Sequence, residues 1–339
     1  MTETAPAQRR CLLIVPLTFY SFHSTLAAAL ERRGYSVDLL NEEFPANPLG
    51  KILGKLALPA LRVLTLAGLR KRLDARAPYD LVVIIKGRGL GPAALEYLRT
   101  RARRIVGYNF DSFEYNPSAR DWHQLTDRYA TFDIEDARRT NLPLVHLFSA
   151  AQNPEPSAQR PYDLSIVQRV HSDRMAYAAK MLDALPPGAR SFVFLFESSK
   201  LLLFLGVLRN PLLYRRLWKH ISFNPMSYAR AMQVFAESRV TFDYAHPRQS
   251  GITVRCFEAQ SLGTAILTNN RHAVESGMFP LSSIAYMPPD ATPDAIRQSL
   301  EALSSRADVP FVRTLDDFLD DLLGETARQE QPTERHIES

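Results

Sequence analysis

Short apolar runs alternate with stretches of helical period along most of this chain. The pattern predicts a strand at Arg10–Pro16, a helix at Ser21–Arg33, a strand at Ser36–Leu40 and a mainly helical stretch over Gly50–Arg76. An apolar buried strand follows at Tyr79–Lys86, then a helix at Pro92–Arg101 and strands at Arg104–Tyr108, Tyr129–Phe132 and Leu144–Leu147. Asn153–Pro161 is rich in Pro and polar residues and has no apolar period, so it reads as a linker. The alternation then restarts. Strands are expected at Tyr162–Val167, Ser191–Phe196, Ile221–Phe223, Arg239–Asp243 and Thr264–Thr268. Helices are expected at Ser172–Leu185 and at Pro225–Glu237, with Pro in its first turn; further elements follow at Ser283–Met287, Pro293–Leu303 and Val312–Leu323.

Strands alternating with helices imply parallel sheets covered on both faces. The expected fold is α/β, with two Rossmann-like parallel-sheet domains facing across a cleft. Its divisions are a tail at 1–10, a first domain at 11–152, the linker at 153–161, a second domain at 162–310, a C-terminal helix at 311–324 and a tail at 325–339. Such sheets bind ligands beyond the carboxyl ends of their strands.

Composition narrows the class. A chain of 339 residues exceeds one typical core, and 46% hydrophobic with 23% charged residues is ordinary for a globular protein. Cys11 and Cys256 alone imply neither a disulfide framework nor a cysteine-rich metal site, which fits a reducing cytoplasm. The net charge of +5 is uneven: residues 1–150 hold 21 Lys and Arg against 15 Asp and Glu. That favours an anionic partner. No nucleic-acid motif is present, so nucleic acid is not expected. Arg9-Arg10 and the apolar run after them lack a cleavage site and read as a first strand rather than an export signal. No run is long enough to span a membrane. Two basic, apolar segments, Lys51–Leu73 and Lys200–Lys219, fit either a membrane interface or ordinary packing on a sheet; packing is favoured for the first, and the second is balanced.

The segment Ser238–Asn270 holds the richest candidate chemistry. Gly251 and Thr253 stand where a helix should begin, Gly for unusual turn dihedrals and Thr as an N-cap. The first amides of that helix would suit a bound diphosphate. Val254, Phe257 and Ser261 form one stripe, and Arg255 and Glu258 lie side by side, placed to grip phosphate and ribose hydroxyls. A plain strand–helix–strand unit with a surface ion pair fits the residues equally well.

Other clusters follow strands. Lys86-Gly87-Arg88-Gly89 offers phosphate, sugar or acceptor contact, or a solvated turn. Asp111 is a candidate base on, or hydrogen-bond anchor for, an acceptor hydroxyl, or else an Asx-turn or helix-cap residue. Asp133, Glu135 and Asp136 read as a helix start. His171 and Arg174 could bind a phosphate and stabilise a departing diphosphate, with Ser172 or Asp173 capping a helix. His246 precedes Gln249 and Ser250 in the loop before the Gly251 helix. No metal-ligand spacing occurs, and GxSxG, P-loop and GxGxxG motifs are absent.

In order, KGRGL (Lys86–Leu90), YNFDS (Tyr108–Ser112), TFDIEDA (Thr131–Ala137), YDLSIVQRVHSDR (Tyr162–Arg174) and QSGITVRCFEA…LTNN (Gln249–Asn270) resemble bacterial glycosyltransferases of the lipopolysaccharide- and capsule-biosynthesis type. These are related to the spore-maturation, CgeB-like enzymes and share the two-domain GT-B architecture. The resemblance spans about residues 11–290, and its last motif is the most specific. It implies a nucleotide-diphosphate sugar held by the second domain, a glycan or lipid-linked acceptor held by the first, and no cofactor or obligatory metal. Glu258 would hold the ribose. Gly251, Thr253 and Arg255 would lie near the diphosphate, with Gln249, Ser250, His171 and Arg174 in the same donor site; Arg255 and Asp111 would serve catalysis. The expected place is the cytoplasm, with peripheral association on the inner face of the cytoplasmic membrane left open. One departure is visible. Such enzymes tend to carry a Gly-Ser pair before the His-x-Asp-Arg segment, and Gln168 and Arg169 stand there instead. That bears on donor binding more than on fold, and supports a rival reading as a non-catalytic glycan- or partner-binding protein. A sugar-nucleotide epimerase of the same fold is a third reading.

Overall fold

The computed structural model describes residues 8–17, 22–151, 154–305 and 310–325. Most of both expected tails, Ser21 of the first expected helix and Asn153 of the expected linker lie outside the described residues. The chain forms two compact units, Met1–His146 with Thr314–Ser339, and Leu147–Arg313.

The first unit runs β1 (Arg9–Val15), α1 (Phe22–Arg32), β2 (Tyr35–Asn41), α2 (Pro48–Leu56), α3 (Leu58–Leu73), β3 (Leu81–Ile85), α4 (Pro92–Arg99), β4 (Ile105–Asn109), β5 (Arg128–Thr131) and α5 (Ile134–Thr140). Its strands lie in the order β2-β1-β3-β4-β5, every pair parallel. All of β3 and β4 and most of β1 are buried, as a sheet covered on both faces requires. Within the helical stretch, α3 sets Leu61, Leu69 and Leu73 inward, so this half of the Lys51–Leu73 segment packs in the ordinary way. The strand expected at Leu144–Leu147 is reduced to one bridge, Thr131 to Leu144. Asp133 caps α5 by accepting from the Asp136 amide, the helix start expected there.

The second unit runs β6 (Tyr162–Arg169), α6 (Arg174–Ala184), β7 (Ser191–Phe196), α7 (Lys200–Arg209), α8 (Pro211–Leu217), β8 (Ile221–Ser222), α9 (Tyr228–Ala236), β9 (Ser238–Asp243), α10 (Val254–Ser261), β10 (Ala265–Thr268), α11 (Arg271–Glu275), β11 (Ile284–Tyr286) and α12 (Pro293–Ser304). Its sheet order is β11-β10-β9-β6-β7-β8, again all parallel. The core gathers Leu164, Ile166, Leu195, Val240, Phe242 and Leu267 from the strands against α6, α8 and α12. The helix expected from Pro225 begins later, at Tyr228. Ser227 is its cap, its hydroxyl accepting from the Arg230 amide at 3.2 Å.

The last helix, α13 (Leu315–Leu323), belongs to the first unit. Thr314 and Asp317 form a reciprocal capping box at its start. Phe318 is fully buried and meets Tyr108 edge-on, ring centroids 5.0 Å apart. Arg33 pairs with Asp320 at 2.7 Å, and Arg128 Nε donates to the Leu322 carbonyl at 2.9 Å.

Candidate functional site

The strand–loop–helix unit at β9 and α10 is organised by Asp243, which sequence reasoning did not single out. Asp243 ends β9 and is almost fully buried. Its carboxylate accepts from Thr253 Oγ1 at 2.6 Å, Thr268 Oγ1 at 3.2 Å and Arg255 Nη1 at 3.0 Å. Three donors, one of them charged, satisfy a carboxylate that would otherwise be costly to bury. The connecting loop is stitched by the pair that follows β10. Asn269 exchanges side-chain hydrogen bonds with both backbone groups of Ala245. Asn270 Nδ2 donates to the carbonyls of Ser250 and Gly251, and Gln249 donates its amide to the His246 carbonyl.

Thr253 holds the N-cap position of α10, as expected, but its side chain makes no cap bond because the hydroxyl is turned to Asp243. The unusual dihedrals expected at Gly251 are absent; positive φ occurs at other glycines, including Gly87 and Gly263. Asn270 fixes the turn without them. On the expected stripe, Phe257 and Ser261 are buried, whereas Val254, in the first turn and beyond the core, is 40% exposed.

Strand β6 neighbours β9, and α6 rises from its carboxyl end. Asp173 holds the N-cap position of α6, yet its carboxylate accepts from the Tyr244 hydroxyl and makes no cap bond. Two helices that follow adjacent strands thus begin with cap side chains directed elsewhere. Their first turns carry partial positive charge. Cations gather beside them. Arg174 lies over the Tyr244 ring at 4.8 Å, and its buried Nε lacks a hydrogen-bond partner among the described residues. Burial, with Arg255 and Arg169 nearby, pulls the Arg174 pKa down to about 10 despite Asp243. Burial, then Arg174, Arg169 and His246, press His171 down to about 4. These cations repel one another, the condition an anion would relieve.

Gln168, where the resembling enzymes tend to have Gly, is buried; its Nε2 donates to the Arg174 carbonyl at 2.9 Å, and its Oε1 has no hydrogen-bond partner among the described residues. Its length is accommodated beneath the first turn of α6. Arg169 is exposed. Glu258 sits one turn along α10 from Arg255 and keeps part of its surface open to solvent. Burial raises its carboxyl pKa to about 7, although Arg255 and a hydrogen bond from the Tyr228 hydroxyl oppose the rise. Tyr228, also bonded to Ser149, was not anticipated from sequence.

In the first unit, Lys86 and Gly87 both adopt positive φ directly after β3. A Cβ on Gly87 would lie 2.8 Å from Trp122 and 2.9 Å from Ile84, so this turn requires glycine. Lys86 Nζ pairs with Asp111 Oδ2 at 2.7 Å, and Arg88 pairs with Glu43. The Arg88 amide donates to buried Glu42, whose pKa burial raises to about 7 against the pull of Lys86. The Asp111 amide donates to Asn109 Oδ1, an Asx-turn at the end of β4. Lys86 and Asp111 are therefore brought together, whereas the Arg88 guanidinium is engaged by Glu43. Among the described residues, no three His, Cys, Asp or Glu side chains are grouped to hold a metal ion.

No family model matches the chain, and no curated protein sequence matches it. Solved structures do. The lipopolysaccharide outer core galactosyltransferase WaaB is similar over 93% of this chain and 99% of its own, with a TM-score of 0.59 at 10% identity. The fold is GT-B. HepE from Anabaena, in complex with UDP-glucose, matches over 94% of this chain and 99% of its own, with a TM-score of 0.57 at 11% identity. UDP-GlcNAc 2-epimerase from Neisseria meningitidis, bound to UDP-GlcNAc, covers 95% of this chain and 100% of its own, with a TM-score of 0.56 at 10% identity. At such identity the GT-B likeness concerns the course of the backbone alone.

Proposed function

We propose that this protein is a glycosyltransferase moving a sugar from a nucleotide-diphosphate donor to a hydroxyl of a cell-surface polysaccharide precursor or other glycoconjugate. The observation that carries this reading is the pair of helix starts at α6 and α10, flanked by Arg174 and Arg255 and lacking side-chain caps of their own. A diphosphate there meets bare amides and cations fixed in place before it arrives, which stabilises the negative charge that develops as the sugar leaves. Ionised Glu258, one turn further along α10, accepts hydrogen bonds from the ribose hydroxyls. His171 takes a phosphate oxygen, and the Gln249–Thr253 loop closes round the diphosphate. Lys86, Arg88 and Asp111 of the first unit receive the acceptor, with Asp111 taking the proton of its hydroxyl. A GT-B backbone and neighbours bound to UDP-sugars support the donor class.

Calorimetry with UDP, GDP and CDP tests the donor site. One of them binds, and Arg255→Ala weakens binding at least tenfold without unfolding the chain. Turnover of the matching sugar nucleotide is lost in Arg255→Ala and Glu258→Ala. The Gln168-Arg169 pair favours the rival, a non-catalytic glycan-binding protein; binding of a glycan with none of the three nucleotides establishes it. An epimerase would instead convert the sugar nucleotide without any acceptor.

A further inference from the structure

Helices α7 and α8 form a hairpin whose inward side is small. Leu203 is buried in α7, and Leu217 is fully buried at the end of α8. The two helices touch where Gly206 leaves room for the Tyr214 ring; a Cβ there would lie 2.1 Å from the Tyr214 hydroxyl. Leu213, Tyr214 and Leu217 fasten the hairpin to the core of the second unit. The outward side is apolar. Leu201, Phe204, Leu205 and Leu208 follow one helical stripe and are 66%, 57%, 43% and 63% exposed, and Leu212 extends it at 74%. Single exposed leucines are ordinary; a continuous row is not.

Charge indicates what covers this row. Lys200, Arg209, Arg215 and Lys219 are exposed on the hairpin and the turn after it, and no Asp or Glu occurs between Glu197 and Glu237. Among the described residues, Arg216 alone of the hairpin's arginines has a carboxylate partner, Asp183. Trp218 stands 54% exposed among these cations. An apolar row bordered by unopposed cations and an indole matches an anionic phospholipid surface, in which leucines enter the acyl boundary and cations remain among the headgroups. Among the described residues no helix is long and apolar enough to cross a membrane, so the contact lies along the surface.

We propose that the α7–α8 hairpin docks the second unit onto anionic lipid bilayers. This inference stands on the hairpin alone and does not depend on the donor site. Its test is flotation of the full chain with vesicles of phosphatidylcholine alone or mixed with phosphatidylglycerol. Binding is expected only to the mixed vesicles, weakening as salt rises. Leu201→Ser with Leu205→Ser lowers it at least tenfold. Lys219→Ala lowers it about fivefold, as expected for one cation near an anionic surface. Of the two tryptophans, Trp122 is fully buried, so a blue shift of fluorescence on adding vesicles reports Trp218 and vanishes in Trp218→Phe. The altered leucines are exposed, and unchanged melting shows that these variants remain folded. The proposal is overturned by absence of vesicle binding, by equal binding to neutral vesicles, or by full binding in the leucine variant. It is equally overturned if light scattering shows the row buried in a dimer that persists with vesicles present.

Discussion

Thr253 gives its hydroxyl to Asp243, 2.6 Å away, instead of to the helix it begins. The same carboxylate holds Arg255, so one buried group both leaves the first turn of α10 uncapped and fixes a cation beside it. Asp243→Asn keeps the shape but loses the charge and at least one acceptor position. It is expected to cost about 1–3 kcal/mol, the penalty of leaving buried partners unsatisfied. Thermal melting should fall by roughly 2–4 °C for each kcal/mol in a unit of this size. Nucleotide binding should weaken in parallel, because Arg255 is released.

Glu258 gives a pH signature. Burial lifts its pKa in the folded chain from 4.5 to about 7, so below 4.5 both folded and unfolded forms are protonated. Between those values the unfolded chain releases its proton first, and this group's contribution to stability declines as pH rises to about 7. Ribose binding needs the ionised form and moves the opposite way, tightening as pH rises through 7. Titrating nucleotide affinity against pH should show that rise in the wild type and a flat profile in Glu258→Gln. Above pH 7 the Gln variant should also melt higher.

His171 is held near pKa 4 by burial and neighbouring cations, and a bound diphosphate raises it. Between pH 4 and 6.5, nucleotide binding should therefore add proton uptake at His171 to the proton release at Glu258. Calorimetry in two buffers of different ionisation enthalpy measures the net proton balance. In His171→Asn the proton balance should shift toward release by the His171 contribution. An unchanged proton balance in the variant would remove His171 from the site.

Phe318 ties α13 to Tyr108. Phe318→Ala should destabilise the first unit by about 3–5 kcal/mol, as for other buried aromatic truncations. Hydrogen exchange should rise across β3 and β4 while β6 and β9 keep their protection.

The strands were legible wherever burial is two-sided. β3 appears in the sequence as an unbroken apolar run, and β9 and β10 were found to within one residue. The start of α10 at Thr253 was also legible. Asp243 was not, because its partners Thr253 and Thr268 lie 10 and 25 residues away and no local spacing marks them. Tyr244 and Tyr228 escaped for the same reason, each being a tyrosine at the edge of an element whose hydroxyl meets a distant carboxylate. In α7, leucines occupy both faces, so hydropathy alone could not tell a packed helix from an outward one; buried Leu203 and Gly206 under Tyr214 mark the inward side. Pro225 misled because proline suits a first helical turn, but the hydroxyl of Ser227 decided the boundary.

Helix α13 has a consequence for the order in which this molecule is made. A ribosome delivers β1 to α5 early, yet the piece that covers Tyr108 emerges only after the whole of Leu147–Arg313 has been synthesised. The nascent first sheet must wait with that flank bare while the later unit, contiguous in sequence, can fold without it. Completion of the earlier-born half thereby waits on synthesis of the whole later-born unit.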